Sequence, residues 1–110
     1  MEGMTGEHTL VRIYVGESDK HDGKPSYQAI LEMLRREKIR GATVLRGIAG
    51  FGAHSHLHTA NILRLSQDLP IVIEIVETKE NIDKVLPAVQ EIAASGIITT
   101  EKVQVIRYGE

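Results

Sequence analysis

The chain has 110 residues, a quarter of them charged, and a formal net charge of -2 at pH 7 with histidine neutral. That length fits one domain, and the charge balance lacks the basic excess of a nucleic-acid-binding surface. Cysteine is absent, which excludes disulfides and thiolate chemistry and suits a reducing compartment.

Aromatic residues are scarce and tryptophan is missing, so the core must be aliphatic. A domain this small buries only about two-thirds of the surface its unfolded chain exposes, and self-association would help it. The start, MEGMTGEH, lacks the charged beginning and apolar run of a signal peptide. No apolar run approaches the roughly 20 residues of a membrane helix. The expectation is a soluble, cytoplasmic protein with no direct membrane insertion and no nucleic-acid partner.

Residues 1–8 are expected to be disordered. Thr9 to Val15 reads as a strand rich in β-branched residues, with Val11, Ile13 and Val15 on one face and Leu10, Arg12 and Tyr14 on the other. A polar loop, GESDKHDGKP, leads to Pro25, which can open a helix. Tyr27, Ile30, Leu31 and Leu34 form one helical stripe. Gly41 is expected to end that helix in a left-handed conformation.

Ala42 to Leu45 reads as the next strand. It leads into three glycines, Gly47, Gly50 and Gly52, and three histidines, His54, His56 and His58. Ala60 to Gln67 fits either a strand or a short helix. Ile71 to Glu77 is the clearest strand, with Ile71, Ile73 and Ile75 facing one way and Val72, Glu74 and Val76 the other. Thr78 is a suitable N-cap for a second helix. Its apolar stripe is Ile82, Val85, Leu86, Val89, Ile92 and Ala93. Pro87 is expected to kink or divide that helix, and Gly96 to stop it. The last strand is placed at Lys102 to Arg107.

The order is β-α-β-β-α-β, an α+β, ferredoxin-like sandwich in one domain spanning residues 1–110. It predicts an antiparallel sheet with two helices on one face. The strands are apolar on both sides, so the second face needs a cover. A homo-oligomer packing sheet against sheet is the economical one.

The residues suggest two chemistries. Glycines expose backbone N–H groups that can form an anion nest, with Arg46, Lys102 and Arg107 as candidate charges; a bulge or bend is the plainer role for such glycines. In an extended segment, His54, His56 and His58 would point the same way and could hold Zn²⁺, Cu²⁺ or Ni²⁺; a solvated loop is the plainer reading. No catalytic constellation emerges. Glu74 and Glu77 fall on opposite faces of one strand, and Ser55 has no oriented carboxylate partner. The protein is not expected to be an enzyme or to require a cofactor.

From Gly41 onward the chain resembles the P-II nitrogen-regulatory proteins. The resemblance lies in GATV (Gly41–Val44), GFG (Gly50–Gly52), Leu69-Pro70, IEIV (Ile73–Val76), Ser95-Gly96 and the terminal R-x-G-E (Arg107–Glu110). It is similar more closely to an uncharacterised group of small P-II-like proteins in bacteria and archaea. That group shares LVRIYVGE (Leu10–Glu17), GKP (Gly23–Pro25) and TVLRGIAGFGAHS.

The resemblance implies a homotrimer of ferredoxin-like subunits with the sheets lining its centre. It implies adenine nucleotides bound in clefts between subunits, as effector ligands. It also implies a flexible signalling loop, here about residues 50–66, that touches a partner such as a transporter or enzyme. Thr43, Gly50, Gly52, Glu74, Gly96, Lys102 and Arg107 match nucleotide-site positions of the family. Val105 stands where a further arginine is usual. Ile97 to Glu101 replaces a glycine-rich segment and lacks its basic residue, which favours AMP or ADP over ATP. The alternatives are a metal-binding trimer using the three histidines and an interaction module without a small ligand.

Overall fold

The computed structural model describes residues 3–52 and 69–109. Its elements are β1 (Met4–Gly16), β2 (Lys20–His21), β3 (Lys24–Pro25), α1 (Ser26–Arg36), β4 (Thr43–Arg46), β5 (Pro70–Glu77), α2 (Lys79–Ile92) and β6 (Ile97–Tyr108). β4, β5, β1 and β6 form one sheet in that order, and every pairing is antiparallel. This is the ferredoxin-like arrangement expected from the sequence, with a small β2–β3 hairpin inserted before α1. Asp22 and Gly23 turn that hairpin with positive φ, the geometry of a two-residue turn with the twist strands favour.

Alternation along the strands decides which face the helices cover. Val11, Ile13, Val15, Ile71, Ile73 and Ile75 are buried and meet Ile30, Met33, Leu34, Ile82, Val85 and Val89 from the helices. Each such side chain contributes roughly 1.5–3 kcal/mol on burial. The predicted stripe of α1 holds, with Met33 joining Ile30 and Leu34 in the core and Tyr27 and Leu31 packed against it.

The helix ends differ in part from expectation. Thr78 does cap α2: its hydroxyl accepts from the Asn81 N–H at 3.1 Å. α2 runs undivided through Pro87. α1 ends earlier than Gly41, and Lys38 takes the left-handed conformation with φ 64°. The Ile39 N–H donates to Leu34 O and the Lys38 N–H to Arg35 O, both at 3.1 Å. This pair of bonds satisfies the last carbonyls of the helix. Ile39 then packs on the core, a tertiary contact that fixes the stop.

Gly96 has a different role from the one expected. A Cβ there would lie 2.1 Å from the carbonyl oxygen of Tyr14. The absence of a side chain lets the chain leave α2 and press against β1, not turn left-handed.

β1 and β6 are both longer than the sequence suggested. β1 begins at Met4, within the segment expected to be disordered, and Met4 is buried. β6 begins at Ile97, not Lys102. β5 ends opposite Thr9. Among the described residues, Met4 to His8 therefore pair only with β6, and the two strands run on as a two-stranded ribbon. The ribbon bulges between Met4 and Gly6, where Gly6 adopts φ 92°, a conformation that favours glycine. Its end is tied back to the body, because the Tyr108 hydroxyl donates to Arg40 O at 2.8 Å.

Candidate functional site

Among the described residues one face of the sheet carries no helix, and that face is arranged in rows across the strands. Leu45, Val72, Tyr14 and Ile97 are register partners and form an apolar row. The next row along is Thr43, Glu74, Arg12 and Thr99. Beyond it come Val76, Leu10 and Glu101. Tyr14, Leu45 and Ile97 are exposed in the single chain.

Arg12 crosses the polar row. Its Nε donates to Glu74 Oε2 at 2.9 Å and its Nη1 to Glu101 Oε1 at 2.7 Å. Hydrogen bonding to Glu74, then to Glu101, raises the guanidinium pKa further from neutrality. Arg12 lies on the face expected from the alternation of β1, but the sequence assigned it no role. The signal available was a lone arginine on a strand face between Leu10 and Tyr14.

At one end of the sheet the exit from β4 is pinched against β5. The Gly47 N–H donates to Pro70 O at 2.7 Å, and a Cβ on Gly47 would lie 2.6 Å from Pro70 Cγ. Gly50 also passes Pro70 closely. Arg46 binds Glu17 through Nε and Nη2, at 3.2 and 3.0 Å. Ile48 and Phe51 project into solvent beside this collar. Of the expected signalling loop, about residues 50–66, residues 50–52 are among those described. His54, His56 and His58 lie outside the described residues. Among the described residues, no three metal-ligating side chains gather into a site.

The predicted nucleotide-site residues fall into separate groups within one chain. Thr43 and Glu74 are cross-strand partners on the open face. Arg46 and Gly50 belong to the collar, and Gly52 follows it in the chain. Lys102 pairs in register with Thr9, on the helix side of the sheet, and its ammonium lies 3.4 Å from Glu7. Arg107 is exposed on the ribbon. Gly96 and Lys102 do not converge within one chain. The residues between them are extended strand, so about 20 Å separates them at roughly 3.3 Å per residue.

Glu77 is fully buried at the end of β5. It accepts from the backbone N–H of Arg40 at 3.1 Å, the N–H of Thr78 at 3.0 Å and the Asn81 amide at 3.0 Å. Burial alone would push this carboxyl up. The Asn81 amide, the two backbone donors and the Arg40 charge outweigh it and hold the pKa below the usual range. Glu77 ties the approach to β4 to the start of α2.

Comparison with known proteins bears on these features as a set. The sequence pattern of the DUF190 family, described as "Uncharacterized ACR", matches residues 8–105. A UPF0166 protein of Methanocaldococcus jannaschii is 43% identical over 83 residues, 76% of each chain. A UPF0166 protein of Aquifex aeolicus is 36% identical over 97 residues, 88% of this chain and 91% of its own. Among solved structures, CPII is a nitrogen regulatory PII-like protein of Thiomonas intermedia K12, solved with ADP, AMP and bicarbonate. It matches with a TM-score of 0.66 at 16% identity, over 96% of this chain and 99% of its own. A putative PII-like signalling protein of Thermus thermophilus matches with a TM-score of 0.64 at 17% identity, over 96% and 94% of the two chains. The chain therefore belongs to the DUF190 family, and its fold is P-II-like.

Proposed function

We propose that this protein is a regulatory module of the P-II-like type. Three copies join through the open sheet face. An adenine nucleotide binds in the clefts between them, and the segment after Gly52 reports its presence to a target protein, such as a transporter or an enzyme. The observation that carries this reading is the near full-length fold match to CPII, which was solved with ADP and AMP. In this arrangement the collar of one copy, with Arg46, Gly50 and the following Gly52, faces Lys102 and Arg107 on the outer strand of the next. Thr43 and Glu74 lie at the inner base of the cleft, and Gly96 supports its wall through packing. A cleft between copies would explain why one chain holds these residues apart.

AMP or ADP is favoured over ATP. Arg46 already faces Glu17, and Lys102 already faces Glu7, which leaves little uncompensated positive charge for a triphosphate. Titration calorimetry on the purified oligomer with AMP, ADP and ATP tests this. Heat is expected with AMP or ADP and about tenfold weaker binding with ATP, the equivalent of roughly one charge-assisted hydrogen bond. No heat with any of the three, on a sample shown to be trimeric, would overturn the nucleotide reading.

A further inference from the structure

Arg12 and its two carboxylates set the open face apart from an ordinary apolar interface. Leu45, Val72, Tyr14 and Ile97 lie in the row on one side of Arg12 and Glu74, and on the other side Val76 and Leu10 share a row with Glu101. A purely apolar face could stack on a copy of itself in several alignments of similar energy, because apolar contact is not directional. A polar belt between apolar rows removes that freedom. Adjacent rows are two residues apart along the strands, about 7 Å. A slip of one row would press Arg12 and Glu74 against Tyr14 and Val72 or against Leu10 and Val76, and bury charges without partners.

The belt also indicates what covers the face. It presents a guanidinium donor beside two carboxylate acceptors, so the donor of one copy can meet an acceptor of another, with one net negative charge per belt. Arg12 uses Nε and Nη1 inside its own chain. A guanidinium has further N–H donors in its fork. Glu101 is the more exposed of the two acceptors, its side chain 56% accessible against 31% for Glu74. It is therefore the carboxylate available to a neighbour. Apolar rows then meet apolar rows in the same alignment.

We propose that the Arg12–Glu74–Glu101 belt fixes the alignment, and so the number, of the copies of this chain that join through the open face. This rests on the self-assembly reading above and adds a specificity role to three residues. The belt is a selective element and not the source of affinity: the apolar rows hold the copies together, and the belt rejects the wrong arrangements. Polar groups at a single layer of an apolar interface have this effect elsewhere, at a cost in stability.

Native mass spectrometry and sedimentation of the full chain test the proposal. The wild type is compared with a variant combining Arg12→Met, Glu74→Leu and Glu101→Leu. The wild type is expected to show one stoichiometry. The apolar variant is expected to spread over two or more, while resisting dissociation to about tenfold lower protein concentration. A variant with the single wild-type stoichiometry, or one that falls to monomer, overturns the proposal. If circular dichroism shows the variant unfolded, charge reversal decides. Arg12→Glu alone should dissociate the assembly. Adding Glu74→Arg and Glu101→Arg should restore the wild-type stoichiometry; failure of either result overturns the proposal. A monomeric wild type would defeat the self-assembly reading itself, whereas an oligomeric wild type with an unaffected apolar variant defeats only the belt.

Discussion

Glu77 shows how much one buried side chain can organise here. Its carboxylate takes three hydrogen bonds from two different junctions, the approach to β4 and the start of α2. The folded-state pKa is held below the ordinary 4.5. The unfolded chain therefore takes up this proton more readily as pH falls. The stabilisation is complete above the unfolded value and is lost as pH drops through the folded one. Glu77→Gln should cost about 1–3 kcal/mol at pH 7, because a charged acceptor for several buried donors is replaced by a neutral one. Urea midpoints measured from pH 7 downward should show that the variant loses less stability below about pH 4.5 than the wild type does. Gly96 is an equally local constraint of a different kind. Its missing side chain admits the carbonyl of Tyr14, which fixes where β6 begins beside β1.

Among the elements, the β1–β6 ribbon stands out. It lies beyond the last β5 partner, so among the described residues each strand has one neighbour there. A two-stranded ribbon is marginal by itself. Here Met4 is buried and Tyr108 reaches Arg40 O. Gly41 is the neighbour of that hydroxyl, since a Cβ on Gly41 would lie 3.3 Å from it. Tyr108→Phe keeps the ring and removes the bond. The expected loss is about 0.5–1.5 kcal/mol, concentrated in the ribbon. Hydrogen exchange should show faster exchange for the amides of residues 4–8 and 103–108, with unchanged protection in β5. Uniform acceleration across the sheet would mean that the clasp supports the whole fold instead.

Among the described residues, two helices lie on one side of a four-stranded sheet and the other side has an apolar row exposed. Ile97 ends that row and is 63% exposed in the single chain. Ile97→Asp should therefore disturb the subunit little. A charge placed in a row that packs against another copy should still dissociate the oligomer. Sedimentation should find monomers with an unchanged far-ultraviolet circular dichroism spectrum. An oligomer that persists would move the interface off this face. The same architecture explains the scattered candidate site. The collar, the open-face pair Thr43 and Glu74, and the outer-strand cations lie apart in one subunit, and under the proposed function a ligand that touches all of them bridges subunits.

The period-2 alternation of Val11, Ile13 and Val15 and of Ile71, Ile73 and Ile75, together with the helical stripes through Ile30 and Val85, determined the order of the main-sheet strands and the two helices, and the core, from sequence alone. Those patterns are local, and burial follows them directly. The Thr78 cap was legible for the same reason, since its bond reaches only to Asn81. Other features depended on distant partners. Lys38, not Gly41, turns at the end of α1 because Ile39 finds the core there. The segment from Ile97 to Glu101 reads as a loop beside its family counterpart, yet it is strand because Leu10 to Tyr14 offer it a free edge. Arg12 looked like an incidental charge until β5 and β6 brought Glu74 and Glu101 to either side of it. What only the tertiary structure decided was which residues on different strands meet, because that depends on register, and register is set by the whole sheet.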